Sequence, residues 1–123
     1  MKILNLTQHA ATPEQIAAGV VNLPADVRAE VSRLLTFEEL PDYDEVRCRA
    51  WHLANIVREH VGSGDAVMLG GAPYLMGPLE TNMRAIQVRA VYAFSRRESV
   101  EQVQPDGSVR KVNVFRHAGF VQA

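Results

Sequence analysis

The stretch Asp65-Ala66-Val67-Met68-Leu69-Gly70-Gly71-Ala72-Pro73 opens with four apolar residues held between Asp65 and Gly70. So short a run, without polar alternation, suits a strand buried on both faces of a parallel sheet. Gly70 and Gly71 then permit a tight turn, and Pro73 fits the first position of a helix. Tyr74, Leu75, Leu79 and Met83 continue along that helix, and Ala90-Val91-Tyr92-Ala93-Phe94 supplies the next strand. Strand, glycine turn, helix and strand in succession form a βαβ unit.

The residues upstream extend the pattern. Ile3-Leu4-Asn5-Leu6 reads as a first strand that stops at Thr7-Gln8-His9. Thr12-Pro13-Glu14-Gln15 starts a short helix, with Thr12 as cap and Gln15 as its capping-box partner, and Gly19 ends it. A second helix is predicted over Ala25–Leu35, with Val27, Val31, Leu34 and Leu35 on one face. A third is predicted from Asp42 to Val61. Its apolar stripe is Val46, Ala50, Leu53, Val57 and Val61, and Gly62-Ser63-Gly64 terminates it. The expected fold is therefore α/β, a small Rossmann-like parallel sheet with flanking helices. Downstream, Val100–Gln104 and Val109–Phe115 alternate apolar and polar residues around Pro105-Asp106-Gly107-Ser108. That pattern predicts a C-terminal β-hairpin.

At 123 residues and 47% hydrophobic, the chain suits one domain over residues 1–123 and is neither disordered nor fibrous in composition. The single cysteine, Cys48, excludes an internal disulfide and a cysteine-rich zinc site. There is no HExxH, no GxSxG elbow and no metal-ligand cluster, so neither a metal nor a cofactor is expected. No run approaches the roughly 18 apolar residues of a membrane span, so the expectation is a soluble, cytoplasmic protein without a membrane partner.

The net charge of -1 conceals an asymmetry. Residues 1–64 carry 6 Lys+Arg against 9 Asp+Glu, and residues 65–123 carry 7 against 5. Asp42, Asp44 and Glu45 fall at the start of the third helix, where the helix dipole favours negative charge. The bases cluster late, at Arg89, Arg96, Arg97, Arg110, Lys111 and Arg116. A near-neutral total disfavours long nucleic acid as a partner and leaves room for a small anionic ligand.

Ligands of open parallel sheets bind beyond the carboxyl ends of the strands. Three segments meet that condition: Thr7 to Thr12, Gly70 to Tyr74, and Ser95 to Arg97. With Gln104 opposite Val109, the hairpin would set Arg97 opposite Arg116 and bring His117 beside Arg96. Each piece also has a plain reading: Gly70-Gly71 lacks both the GxGxxG spacing and a P-loop lysine, and alone is a tight turn. The candidate binding residues are thus Thr7, Gln8, Thr12, Gly70, Gly71, Tyr74, Ser95, Arg96 and Arg116. His9, Arg97 and His117 are candidates for proton transfer and charge stabilisation, imidazole titrating near neutrality.

The opening strand with Thr7-Gln8-His9-Ala10-Ala11-Thr12-Pro13-Glu14-Gln15 resembles the start of small CRISPR-associated proteins of the Csx type. The likeness continues through Gly70 to Met76, Val91-Tyr92-Ala93-Phe94-Ser95-Arg96-Arg97, and Asp106 to Lys111. It closes on Val114-Phe115-Arg116-His117 and Phe120. It departs from that pattern at Thr7-Gln8, where a Ser/Asn-type residue leads, and in the Gly-Gly-Ala-Pro loop. The resemblance implies a CARF-type domain (a CRISPR-associated Rossmann fold) acting as a homodimer. It also implies a ring nuclease that binds cyclic oligoadenylate, commonly the tetra-adenylate, and cuts it without metal through attack by a ribose 2′-hydroxyl. The alternatives are a dimeric nucleotide sensor without turnover, or a small α/β protein acting on another phosphorylated ligand.

Overall fold

The structure, a computed structural model describing residues 1–123, is an α/β fold built on one mixed five-stranded sheet. The elements are β1 (Ile3–Leu6), α1 (Pro13–Ala17), β2 (Val20–Val21), α2 (Ala25–Leu35), α3 (Tyr43–His60), β3 (Ala66–Leu69), α4 (Pro73–Ala85), β4 (Arg89–Val103) and β5 (Val109–Gln122). The strand order is β2-β1-β3-β4-β5. The first four strands are parallel to their neighbours, and β5 runs antiparallel to β4. No helix is long and apolar enough to cross a membrane.

Local sequence accounts for the helix starts. The Thr12 side chain accepts the Gln15 amide while the Gln15 side chain accepts the Thr12 amide, a complete capping box ahead of Pro13. Asp42 accepts from Glu45 N at 2.8 Å and caps α3. Glu45, at the position that could complete a capping box with Asp42, instead accepts from Arg49 Nη2 at 2.7 Å, one turn along the helix.

Alternation along the parallel strands divides the core. Leu4, Leu6, Val67, Leu69 and Ala90 face the layer of α2, α3 and α4, where Leu34, Leu53, Val57, Leu75, Leu79 and Met83 close over them. Ile3, Val20, Ala66, Met68 and Val91 face the other way and are covered by Ala11 and Phe120. Burying both faces explains why β3 reads as an unbroken apolar run and β1 as one interrupted only by Asn5.

The C-terminal third differs from the expected parallel sheet with a separate hairpin. β4 is one strand of 15 residues, of which only Arg89–Tyr92 lie beside β3. Beyond Tyr92 it continues with β5 as a two-stranded arm. The register differs as well. Gln104 pairs with Ser108 rather than Val109, its amide reaching Ser108 O at 2.7 Å. Gly107 at φ 86° and the Asp106 side chain, which accepts Ser108 N at 2.9 Å, close the turn over three residues. Val103 therefore faces Val109, and Arg116 lies opposite Arg96 while Arg97 lies opposite Phe115. A slip of one residue moves a side chain to the other face of the ribbon, so Arg97 and Arg116 point away from each other. A bulge at Phe94/Ser95 leaves Ala118 without an opposite number and sets His117 opposite Ser95.

Candidate functional site

Chain direction fixes where a ligand can sit. From β1 the chain crosses to β2 on one side, and from β3 it crosses to β4 on the other, so the connections part at the carboxyl ends of β1 and β3. Open α/β sheets bind ligands at such a switch point. A cleft of about 820 Å³ lies there. One wall is the β1–α1 loop with Gln15, the opposite wall is Gly70–Ala72 with Tyr92 and Ala93, and Leu35, Met68 and Leu69 form an apolar floor. No lysine, arginine, aspartate or glutamate lines it.

Asn5, the one buried polar residue, shapes the loop wall. Its Nδ2 donates to His9 O at 2.8 Å and to Asn22 Oδ1 at 2.9 Å. Its Oδ1 accepts from Thr7 N at 3.1 Å and from the Thr7 hydroxyl at 2.7 Å. Asn22 Oδ1 also accepts Ala11 N at 3.0 Å. On the outer side Gln8 Nε2 donates to Thr36 Oγ1 at 2.9 Å, tying the loop to the end of α2. These bonds replace the ladder that a loop lacks.

The opposite wall is backbone. The amides of Gly70, Gly71 and Ala72 make no hydrogen bond within the protein. Ala72 occupies the N-cap of α4 and has no side chain to cap it. Gly71 holds φ 151°, a conformation L side chains rarely adopt, and a Cβ on Gly70 would meet Thr7 Cγ2 at 3.2 Å. The two glycines let the walls approach without side chains between them. Unpaired amides at a helix start attract anions, because the partial positive charge of the helix end is uncompensated.

Of the residues read from the sequence, the cleft brings together Thr7, Gln8, His9, Thr12, Gly70 and Gly71. Tyr74 lies outside it on the first turn of α4, its ring 5.2 Å from Phe37. Ser95, Arg96, Arg97, Arg116 and His117 ride on the arm beyond Ala93. Arg116 donates to Glu98 Oε2 at 2.8 Å. The His117 ring packs edge-on against Phe120 at 4.9 Å, with a buried Nδ1 that finds no partner, and its amide donates to Glu14 Oε2 at 3.1 Å. The expected gathering of Arg96, Arg97, Arg116 and His117 is thus divided between the two faces of the ribbon. Asn5, Asn22 and Tyr92 lie outside the set of sequence candidates. Asn5 carries a visible signal, an amide inside the otherwise apolar Ile3–Leu6. Tyr92 bonds Glu80 Oε2 at 2.6 Å, and burial, reinforced by that carboxylate, holds its phenol well above the ordinary value.

The match of a protein-family model to residues 1–121 covers this whole arrangement. The chain belongs to the uncharacterized protein MJ1673 family. No curated protein and no solved structure matches it. The MJ1673 family match takes in both walls of the cleft and nearly the whole arm.

Proposed function

We propose that the cleft binds a small nucleotide anion, with a phosphate on the amides of Gly70, Gly71 and Ala72. The observation that carries this reading is those three unpaired amides at an uncapped helix start, in a cleft no carboxylate enters. The floor of Leu35, Met68 and Leu69 suits a base, and Thr7, Thr12 and Gln15 offer polar groups to a ribose. The strand order, one of the two common orders of doubly wound sheets, supports a Rossmann-like description despite the antiparallel β5.

Among nucleotide anions our choice is cyclic oligoadenylate, the ligand implied by the likeness to Csx-type proteins. On this reading the chain is a cytoplasmic, homodimeric, ring nuclease-like protein of type III CRISPR signalling. Cleavage needs no protein nucleophile. The ribose 2′-oxygen loses its proton and bonds the adjacent phosphorus. The bond from phosphorus to the 5′-oxygen breaks, and that oxygen takes up a proton, leaving a 2′,3′-cyclic phosphate. On this reading free amides beside the phosphate stabilise the charge that develops, and proton transfer is assigned to His9, whose support is that it lines the same cleft. Arg97 and His117 take part on this reading only as far as the arm reaches the mouth.

Incubation with cyclic tetra-adenylate in EDTA, with products resolved by chromatography, tests the reading. Linear product ending in a cyclic phosphate is expected, and His9→Ala should suppress cleavage more than binding. An intact ring after long incubation refutes the nuclease. A sensor without turnover is favoured by the lack of any cation in the cleft, and calorimetry would then register binding without product. No heat with the ring, adenosine monophosphate or inorganic phosphate refutes the site in both forms.

A further inference from the structure

The arm has no partner within its own chain. From Ala93 to Val103, β4 has β5 on one side and no strand on the other, and β5 is an edge along its whole length. Phe94, Val103 and Phe115 stand 52%, 73% and 72% exposed on it. A two-stranded ribbon is marginally stable in water by itself, and a long unpaired edge is a template for another strand.

Charge tells the two edges apart. Between Val109 and Gln122, β5 carries Arg110, Lys111 and Arg116 and no acid, so no register of two copies of it matches opposite charges. The free edge of β4 carries both signs, in Arg96, Arg97, Glu98 and Glu101. A two-fold axis normal to an antiparallel ladder passes through a pair of directly opposed residues, so each register is a choice of central residue. Centring on Arg96, Arg97, Glu98 or Glu101 opposes a charge to itself. Centring on Ser95 or Val100 matches no opposite charges. Ser99 alone sets Arg97 opposite the partner's Glu101 twice, with no like charges opposed.

We propose that two copies of the chain pair through β4 about Ser99, forming a continuous sheet in the order β5-β4-β4-β5. Glu101 already lies opposite Lys111 of its own β5, so in the dimer each Glu101 sits between two cations. The same register carries each turn at Gln104–Ser108 past the partner's Ser95, towards Ala93 at the rim of the partner's cleft. Each copy thereby supplies part of the other's cleft mouth. The interface goes beyond the nucleotide reading and holds whatever the cleft binds.

Sedimentation velocity and cysteine cross-linking test it without any ligand. The wild-type chain should sediment as a dimer at micromolar concentration. In a Cys48→Ala background, Ser99→Cys should oxidise to a covalent dimer, while Ser95→Cys, which would lie opposite Val103, should not. Arg97→Glu should weaken dimerisation by about tenfold, and adding Glu101→Arg should restore it, with circular dichroism melts reporting the fold of each variant. A monomer overturns the proposal, as does equal cross-linking at positions 95 and 99 or failure of the double reversal to restore pairing. A dimer that ignores cyclic tetra-adenylate would sink the functional reading and leave the interface standing.

Discussion

Replacing Asn5 tests whether one buried amide builds the cleft wall. Asn5→Leu keeps the branched outline and the number of side-chain heavy atoms but removes both donors and the acceptor. Thr7 N, the Thr7 hydroxyl, His9 O and Asn22 Oδ1 each lose a partner lying between 2.7 and 3.1 Å away. Each such bond contributes about 1 kcal/mol net, and a buried group left unsatisfied costs about 1–3 kcal/mol. The loop is partly open to water, which re-solvates part of this set, so the expected loss is about 3 kcal/mol. Against a total of roughly 5–15 kcal/mol that is large, and for a domain of this size it lowers Tm by about 10 °C. Urea denaturation followed by circular dichroism measures the loss. Amide exchange should locate it, rising at Thr7, His9 and Ala11 with little change in α3. Asn5→Asp keeps the shape but turns a carboxylate towards His9 O and Asn22 Oδ1. Its penalty should be greater at neutral pH than near about pH 4, where a protonated acid can donate once. A loss under about 1 kcal/mol for Asn5→Leu, with the loop still protected from exchange, would refute the role assigned to this network.

Three further outcomes are expected. Thr12→Ala removes the acceptor of Gln15 N and should cost about 1 kcal/mol in urea denaturation, concentrated in α1. Leu53→Ala, at a fully buried position of α3, should cost about 2–5 kcal/mol through lost contacts and a residual cavity. The Asp65 carboxylate accepts from Gly62 N at 2.8 Å and Lys2 N at 3.1 Å, which hold its pKa below the ordinary 3.8. A lowered folded pKa means the contribution is complete above the ordinary value and is lost as pH falls through the folded one. Asp65→Asn should therefore flatten the dependence of the urea midpoint on pH between about pH 5 and pH 2.

What the sequence disclosed follows from where each residue's neighbours lie. Ile3–Leu6 and Ala66–Leu69 are buried on both faces and so are apolar without interruption, apart from Asn5. The caps at Thr12 and Asp42 are local chemistry and are legible for that reason. β2, two residues long, is too short to carry a period. In β4 the run Ser95-Arg96-Arg97-Glu98-Ser99 looks like a loop because both faces of the arm meet solvent, so no side chain there has to be apolar. A four-residue turn, one residue wider than the turn that forms, shifts the hairpin register by one, which is enough to unite four cationic or titratable candidates that the strand separates. The cleft's glycines and loop were readable from their places at strand ends. The amide beneath the loop was not singled out, because its role depends on Asn22, which is distant in sequence.

Gln8 is held by Thr36, whose carbonyl in turn accepts from Arg49, and the Arg49 guanidinium lies 4.2 Å over the Phe37 ring. With Asn5 fastening the loop from below, the β1–α1 loop is tied at two points before any ligand arrives. Docking would then cost little ordering entropy in this wall. A ligand should meet a ready surface, its association limited by diffusion and by entry past the mouth rather than by loop rearrangement. Affinity differences among related nucleotides should accordingly reside in how slowly each one leaves.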